Sequence, residues 1–257
     1  MIRRLLVFIV LVAAFLSGCN SFTAVNPCDV EMGSHQLVTP ATKGHDWWMP
    51  RHEAVIQRNA EGNVNLIFIG DSITHHWENN GKEVWAKYYQ LRGAVNMGFS
   101  GDGTQNVLWR LENGEIDGIN PKVAVIMIGT NNSNGDAHTV EQIADGINAI
   151  VCKLRTELPQ TKVVILGIFP RGSREQMQDK QSGATYNDQW AKLDSVNELV
   201  SKTADNKMVY YLNINDNFLD DNSVLSREIM PDLLHLSEEG YQIWAESLEP
   251  TLEKLMK

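Results

Sequence analysis

Four short blocks along the 257-residue chain carry side chains that together could cleave an ester: Gly70-Asp71-Ser72, Asn96-Met97-Gly98-Phe99-Ser100-Gly101-Asp102, Gly129-Thr130-Asn131-Asn132 and Asp232-Leu233-Leu234-His235. A serine hydroxyl is a weak nucleophile at neutral pH and needs a base to take its proton and a carboxylate to orient that base. Ser72 is the candidate nucleophile and His235 the candidate base. Asp232, three residues before His235, lets one tight segment present both groups. Attack on a carbonyl also creates an oxyanion that needs preplaced donors. The Ser72 backbone N–H, Gly101, whose missing Cβ permits close approach, and the Asn131 side-chain amide fit that task. Taken alone, Ser72 reads more simply as a helix cap after a strand; with the other four residues present, that reading loses.

These groups need a scaffold that gathers them. The chain alternates continuous apolar runs with amphipathic stretches, which predicts an α/β fold with a parallel sheet covered by helices on both faces. Strands are expected at residues 64–69, 94–97, 123–128, 163–168 and 208–212. A helix is expected over 139–158, where Thr139 and Gln142 can form a capping box and Pro159 follows; another begins after Ser237. Reactive groups in such sheets collect beyond the carboxyl ends of the strands, and all four blocks fall there.

Several neighbours have plainer readings. Asp71 and Asp102 are expected to make turns or helix caps rather than act as acids. His75 and His76 lack the spacing of a metal site, although His76 could line a pocket, and His52 and His138 have no partner visible in sequence. Gly98 is expected to answer a backbone demand. Trp77, Phe99 and Phe169 are expected to pack in the core or at its rim.

The four blocks, in this order, resemble the SGNH (GDSL) hydrolases over residues 47–257. Within that family the resemblance is closest to the catalytic subunits of platelet-activating-factor acetylhydrolase Ib, through Trp48-Met49-Pro50-Arg51-His52, Val107-Leu108-Trp109-Arg110-Leu111, Asn113-Gly114-Glu115 and Phe169-Pro170-Arg171-Gly172. The resemblance implies a three-layer α/β/α fold, flavodoxin-like, with five parallel strands. It implies Ser72, Asp232 and His235 as triad, with Ser72, Gly101 and Asn131 as oxyanion hole, and neither metal nor organic cofactor. It also implies removal of a short acyl group, acetyl first; a lipoprotein facing outside the cell, out of reach of cytosolic acyl carriers, makes O-acetylated carbohydrate the expected substrate. A phospholipid or acyl thioester is the alternative, and a non-catalytic glycan- or lipid-binding lipoprotein the rival from another class. Two departures stand out: Ile73 where the family name has Leu, and a long polar stretch at 173–194, which bears on substrate rather than on the triad.

The N-terminus reads as a targeting segment. Arg3 and Arg4 precede an apolar run, and Leu16-Ser17-Gly18-Cys19 resembles the lipobox of bacterial lipoproteins. Residues 1–18 are therefore expected to be a signal peptide. Cys19 is expected to carry lipid that anchors the protein in a bacterial envelope, at the outer membrane in a Gram-negative cell, as the following Asn20 suggests. Residues 19–46 read as a tether. Cys28 and Cys152 are then left in an oxidising compartment, where they could pair; sequence leaves the pairing open. A net charge of −10, with no basic run beyond Arg3-Arg4, argues against nucleic acid as a partner.

Overall fold

The computed structural model describes residues 24–257. The expected signal segment and the lipidation site at Cys19 lie outside the described residues. Five parallel strands, β1 Leu66–Gly70, β2 Ala94–Gly98, β3 Val123–Met127, β4 Lys162–Leu166 and β5 Val209–Leu212, form one sheet in the order β2-β1-β3-β4-β5. Each falls within a residue or two of the expected run. Eight helices accompany them among the described residues: α1 Trp48–Ala60, α2 Ser72–His75, α3 Lys82–Tyr88, α4 Thr104–Glu112, α5 Val140–Glu157, α6 Arg174–Gln178, α7 Asp188–Ser201 and α8 Glu238–Leu255.

Every residue of β1 and β3 is buried, so both sheet faces are covered. Successive side chains point to opposite faces. Ile67 and Ile69 pack with α1, α4, α5 and α7, whereas Leu66 and Phe68 pack with α3 and α8. This is the expected three-layer arrangement. Helix α5 begins at the predicted capping box: Gln142 N donates to Thr139 Oγ1 at 3.2 Å, and Thr139 N donates to Gln142 Oε1 at 3.0 Å. Among the described residues, no helix is long and apolar enough to cross a membrane.

The described part of the expected tether is bound to the domain instead of standing clear of it. Val25 N donates to Lys202 O at 3.0 Å. His35 Nε2 lies 3.1 Å from Asp145 Oδ2. Leu37, in a 3-10 turn at Gln36–Val38, is fully buried, and its carbonyl accepts from Thr104 Oγ1 at 2.8 Å. Cys28 and Cys152 are joined in a disulfide. The polar side of α5, with Asp145, Asn148 and Cys152, is the surface on which this strap lies. Two buried apolar side chains, Pro27 and Leu37, the disulfide and a set of hydrogen bonds hold it, so composition gave no periodic signal.

The disulfide closes a span of 124 residues in sequence, which on the chain-entropy account restricts the unfolded chain by roughly 5 kcal/mol. Reduction, or Cys28→Ser, is expected to lower the melting temperature by about 10 °C in a calorimetric scan. An unchanged melting temperature would mean that the unfolded chain gains nothing when the strap is released.

Candidate active site

The nucleophile candidate stands where β1 turns into α2, at the point where the chain's next strands fall on opposite sides of β1. Asp71 caps α2, its carboxylate accepting from Ile73 N at 3.0 Å, as expected. Burial raises the Asp71 carboxyl to about 7, a rise partly offset by the Ile73 N–H. Ser72 is therefore the first residue of the helix. Tyr241 Oη, from α8, donates to Ile73 O at 2.6 Å and pins that turn from below. Gly98 does answer a backbone demand, but through proximity rather than torsion: a Cβ there would collide with backbone atoms of Thr74 and His75. The glycine lets α2 sit directly on the ends of β1 and β2.

The candidate base and its candidate carboxylate arrive on one turn before α8. Asp232 Oδ1 accepts from Leu234 N at 3.0 Å and from His235 N at 2.7 Å, closing the turn. Leu233 between them has φ of 60°, a conformation costly for a side chain with a Cβ. Complete burial of Leu233 and a 2.9 Å bond from Gly172 N to its carbonyl hold it there. His235 Nδ1 lies 2.6 Å from Asp232 Oδ2, and His235 Nε2 lies 2.9 Å from Ser72 Oγ. Partial burial raises the Asp232 carboxyl, but hydrogen bonds from the His235 ring and backbone and from Leu234 N outweigh it and bring it down to about 2. Asp232 is ionised at any working pH.

The oxyanion candidates face the same rim. Among the described residues, neither Ser72 N nor Gly101 N has an acceptor within the protein. Asn131 Nδ2 gives one proton to Asp102 O at 2.9 Å, which leaves its second N–H free. Gly101 has φ of 77°, which a side chain would resist. Its carbonyl accepts from Lys43 Nζ of the strap. His75 Nδ1 lies 2.9 Å from Ser100 Oγ and accepts from Ser100 N at 3.3 Å. Burial, reinforced by Arg51, lowers His75 to about 4, so it holds this loop as a neutral ring.

Asp102 departs from the expected turn or cap. Its carboxylate is fully buried and accepts from Trp48 Nε1 at 2.8 Å and Arg110 Nε at 2.9 Å. Arg110 also donates to Glu115, whose other oxygen lies 3.0 Å from His52 Nδ1. This network underlies the Gly101 loop. Trp77, Phe99 and Phe169 are core residues, as expected. His76 lines a cavity of about 510 Å³ with Asn79, Asn80, Pro231, Asp232 and His235. Among the described residues, no group of three or more His, Cys, Asp or Glu side chains converges closely enough to hold a metal ion.

A serine, an imidazole and a carboxylate in hydrogen-bonded sequence, beside unengaged N–H groups at the edge of a parallel sheet, define a serine hydrolase of the α/β/α class. Residues 68–243 match the GDSL-like Lipase/Acylhydrolase family. The chain belongs to that family and is an esterase. It is 35% identical over 215 residues to human platelet-activating factor acetylhydrolase IB subunit alpha1, spanning 83% of this chain and 86% of that protein. It is 34% identical over 215 residues to the rat alpha2 subunit, spanning 84% and 86%. A GDSL-like lipase from Bacteroides thetaiotaomicron shares the fold with a TM-score of 0.63 at 20% identity, over 79% of this chain and 97% of that one. A carbohydrate acetylesterase from Sinorhizobium meliloti does so with a TM-score of 0.57 at 16% identity, over 75% and 99%.

Proposed function

We propose that the protein removes short acyl groups, acetyl first, from O-acylated carbohydrate by way of an acyl-enzyme on Ser72. The observation that carries the reaction is the 2.9 Å approach of His235 Nε2 to Ser72 Oγ beside free N–H groups. Ser72 Oγ attacks the carbonyl carbon as its proton passes to His235, and Asp232 stabilises the imidazolium that results. The oxyanion accepts from Ser72 N, Gly101 N and Asn131 Nδ2. Collapse expels the alcohol, which takes the proton from His235. Water, deprotonated by His235, then releases the acid.

Acetyl selectivity is carried over from the acetylhydrolase relatives. Carbohydrate is favoured by polar side chains in two cavities, His76, Asn79 and Asn80 in the one that Asp232 and His235 also line, and Arg171, Ser173 and Gln178 in a second. These side chains offer hydrogen bonds to the hydroxyls of a sugar. The relatives' name supports a lipid ester as the second reading. Lipidation at Cys19 and a place in a bacterial envelope belong to the same proposal and rest on the sequence.

Kinetics on p-nitrophenyl acetate, butyrate and long-chain esters, together with acetylated sugars and acetylated lipids, test the reading. Acetyl sugars are expected to give the highest kcat/KM, and Ser72→Ala to remove turnover. Turnover that survives Ser72→Ala would rule Ser72 out as nucleophile, and a preference for long chains would overturn the acetyl assignment.

A further inference from the structure

Arg171 takes no part in the proton relay, yet it is wedged between the loop that bears Asn131 and the turn that bears Asp232 and His235. Only 8% of the residue is exposed. Its Nη1 donates to Thr130 O at 3.3 Å, Thr130 Oγ1 at 3.2 Å and Asn134 Oδ1 at 3.1 Å, on the loop that bears Asn131. The next residue, Gly172, is bonded to Leu233 in the turn that bears Asp232 and His235. Support of the Thr130 loop uses Nη1 alone.

The rest of the guanidinium is unspent. Nε is buried with no acceptor. Among the described residues, Nη2 has no acceptor either, and it is not sealed in as Nε is. Arg171 lines a groove of about 1120 Å³, with Asn134, Ser173, Arg174 and Gln178 along it. Glu175 and Asp188 also line the groove, Glu175 being engaged by Ser173 Oγ at 2.8 Å. An arginine stays protonated. Asp71 and Asp232 act on Arg171 only through space, and no carboxylate pairs with it among the described residues. A nearly buried cation without a counter-ion is costly, and an anion entering the groove would offset that cost.

We propose that this groove receives the alcohol side of the ester and that Arg171 Nη2 binds an anionic oxygen carried there, a carboxylate or a phosphate. The inference rests on the proposed attack by Ser72 and names what the leaving group bears. It also gives the polar 173–194 stretch a task, since residues 173–178 and 187–189 form much of the groove.

Two matched pairs test it. O-acetylglucuronate against O-acetylglucose isolates the carboxylate, and an alkyl-acetyl-glycerophosphocholine against the corresponding alkyl-acetylglycerol isolates the phosphate. A charge-assisted hydrogen bond predicts that kcat/KM favours the charged member at least about tenfold in one pair, mainly through KM. The pair that shows it identifies the source of the anion. Arg171→Met is expected to bring that ratio to about one, and Arg171→Lys to restore part of it, whatever either does to the neutral substrate. A wild-type ratio of one or less in both pairs, or a ratio that Arg171→Met leaves unchanged, overturns the proposal. Calorimetric titration of Ser72→Ala protein with glucuronate, inorganic phosphate and glucose separates the subsite from the esterase reading and needs no substituted Arg171. Heat from an anion but not from glucose supports the subsite even without turnover, and heat from neither anion removes it while hydrolysis of p-nitrophenyl acetate stands.

Discussion

Alanine in place of His235 is expected to lower kcat on p-nitrophenyl acetate by about 10⁴- to 10⁶-fold, with little change in KM. The ring is the only base in contact with Ser72 Oγ among the described residues. The other two imidazoles nearby are not substitutes: His75 is committed to Ser100, and His76 packs against the His235 ring at 4.9 Å between centroids without reaching Ser72. The two groups serve one proton transfer, so adding Ser72→Ala to His235→Ala should cost almost nothing more. A double variant whose loss equals the product of the single losses would show independent roles and dissolve the triad. Asp232→Asn should cost about 10⁴-fold, because an amide hydrogen would replace the acceptor facing His235 Nδ1. The pH profile separates the members further. Asp232, at about 2, stays ionised through the whole accessible acid range, so its protonation accounts for none of the activity lost on acidification.

The parts of the molecule that sequence disclosed are those whose signals are local. A strand buried on both faces must be a continuous apolar run, and a helix cap lies three residues from its partner, so β1 to β5, the start of α5 and the start of α8 were all legible. The meeting of the candidate residues was legible for a related reason: three of the four blocks lie at the end of a strand, and Asp232 and His235 share one turn. What sequence hid depends on partners far along the chain. Asp102 read as a cap because its real partners are Trp48, 54 residues earlier, and Arg110 on the next helix. Residues 24–46 read as a tether because Pro27 and Leu37 are their only buried side chains among the described residues, and hydrogen bonds to remote backbone leave no periodicity. Cys152 looked misplaced on a polar helix face until the strap carrying Cys28 covered that face. Arg171 stood out only as part of the Phe169-Pro170-Arg171-Gly172 segment, with its partners at Thr130 and Asn134 some 40 residues earlier.

The second large effect concerns that hidden network. Arg110→Met is expected to lower the free energy of unfolding by about 3–5 kcal/mol, because it removes one partner of a buried ionic cluster and leaves the others in place. Arg110, Asp102 and Glu115 are all fully buried, and the guanidinium links the two carboxylates while its Cζ sits 3.9 Å from the centre of the Phe99 ring. Methionine fills the volume without supplying charge or donors, and Arg110→Lys should recover little, since a point charge cannot reach both carboxylates and the ring as a planar fork does. The sign of the pH dependence follows from Asp102. Burial raises its carboxyl even with Arg110 beside it to pull it back, so loss of Arg110 raises it further. A folded state that holds a proton the unfolded chain has lost becomes less stable as pH rises above the carboxylate's ordinary range. The deficit of Arg110→Met should therefore be larger at pH 8 than at pH 5 in urea unfolding. Activity should fall along with stability at pH 8, because Asp102 also anchors the loop of Gly101 and, through its carbonyl, the Asn131 amide. A deficit below about 1 kcal/mol, or one equal at the two pH values, would mean that water reaches the carboxylates and that the loop is held by packing around Trp48 and Phe99 instead.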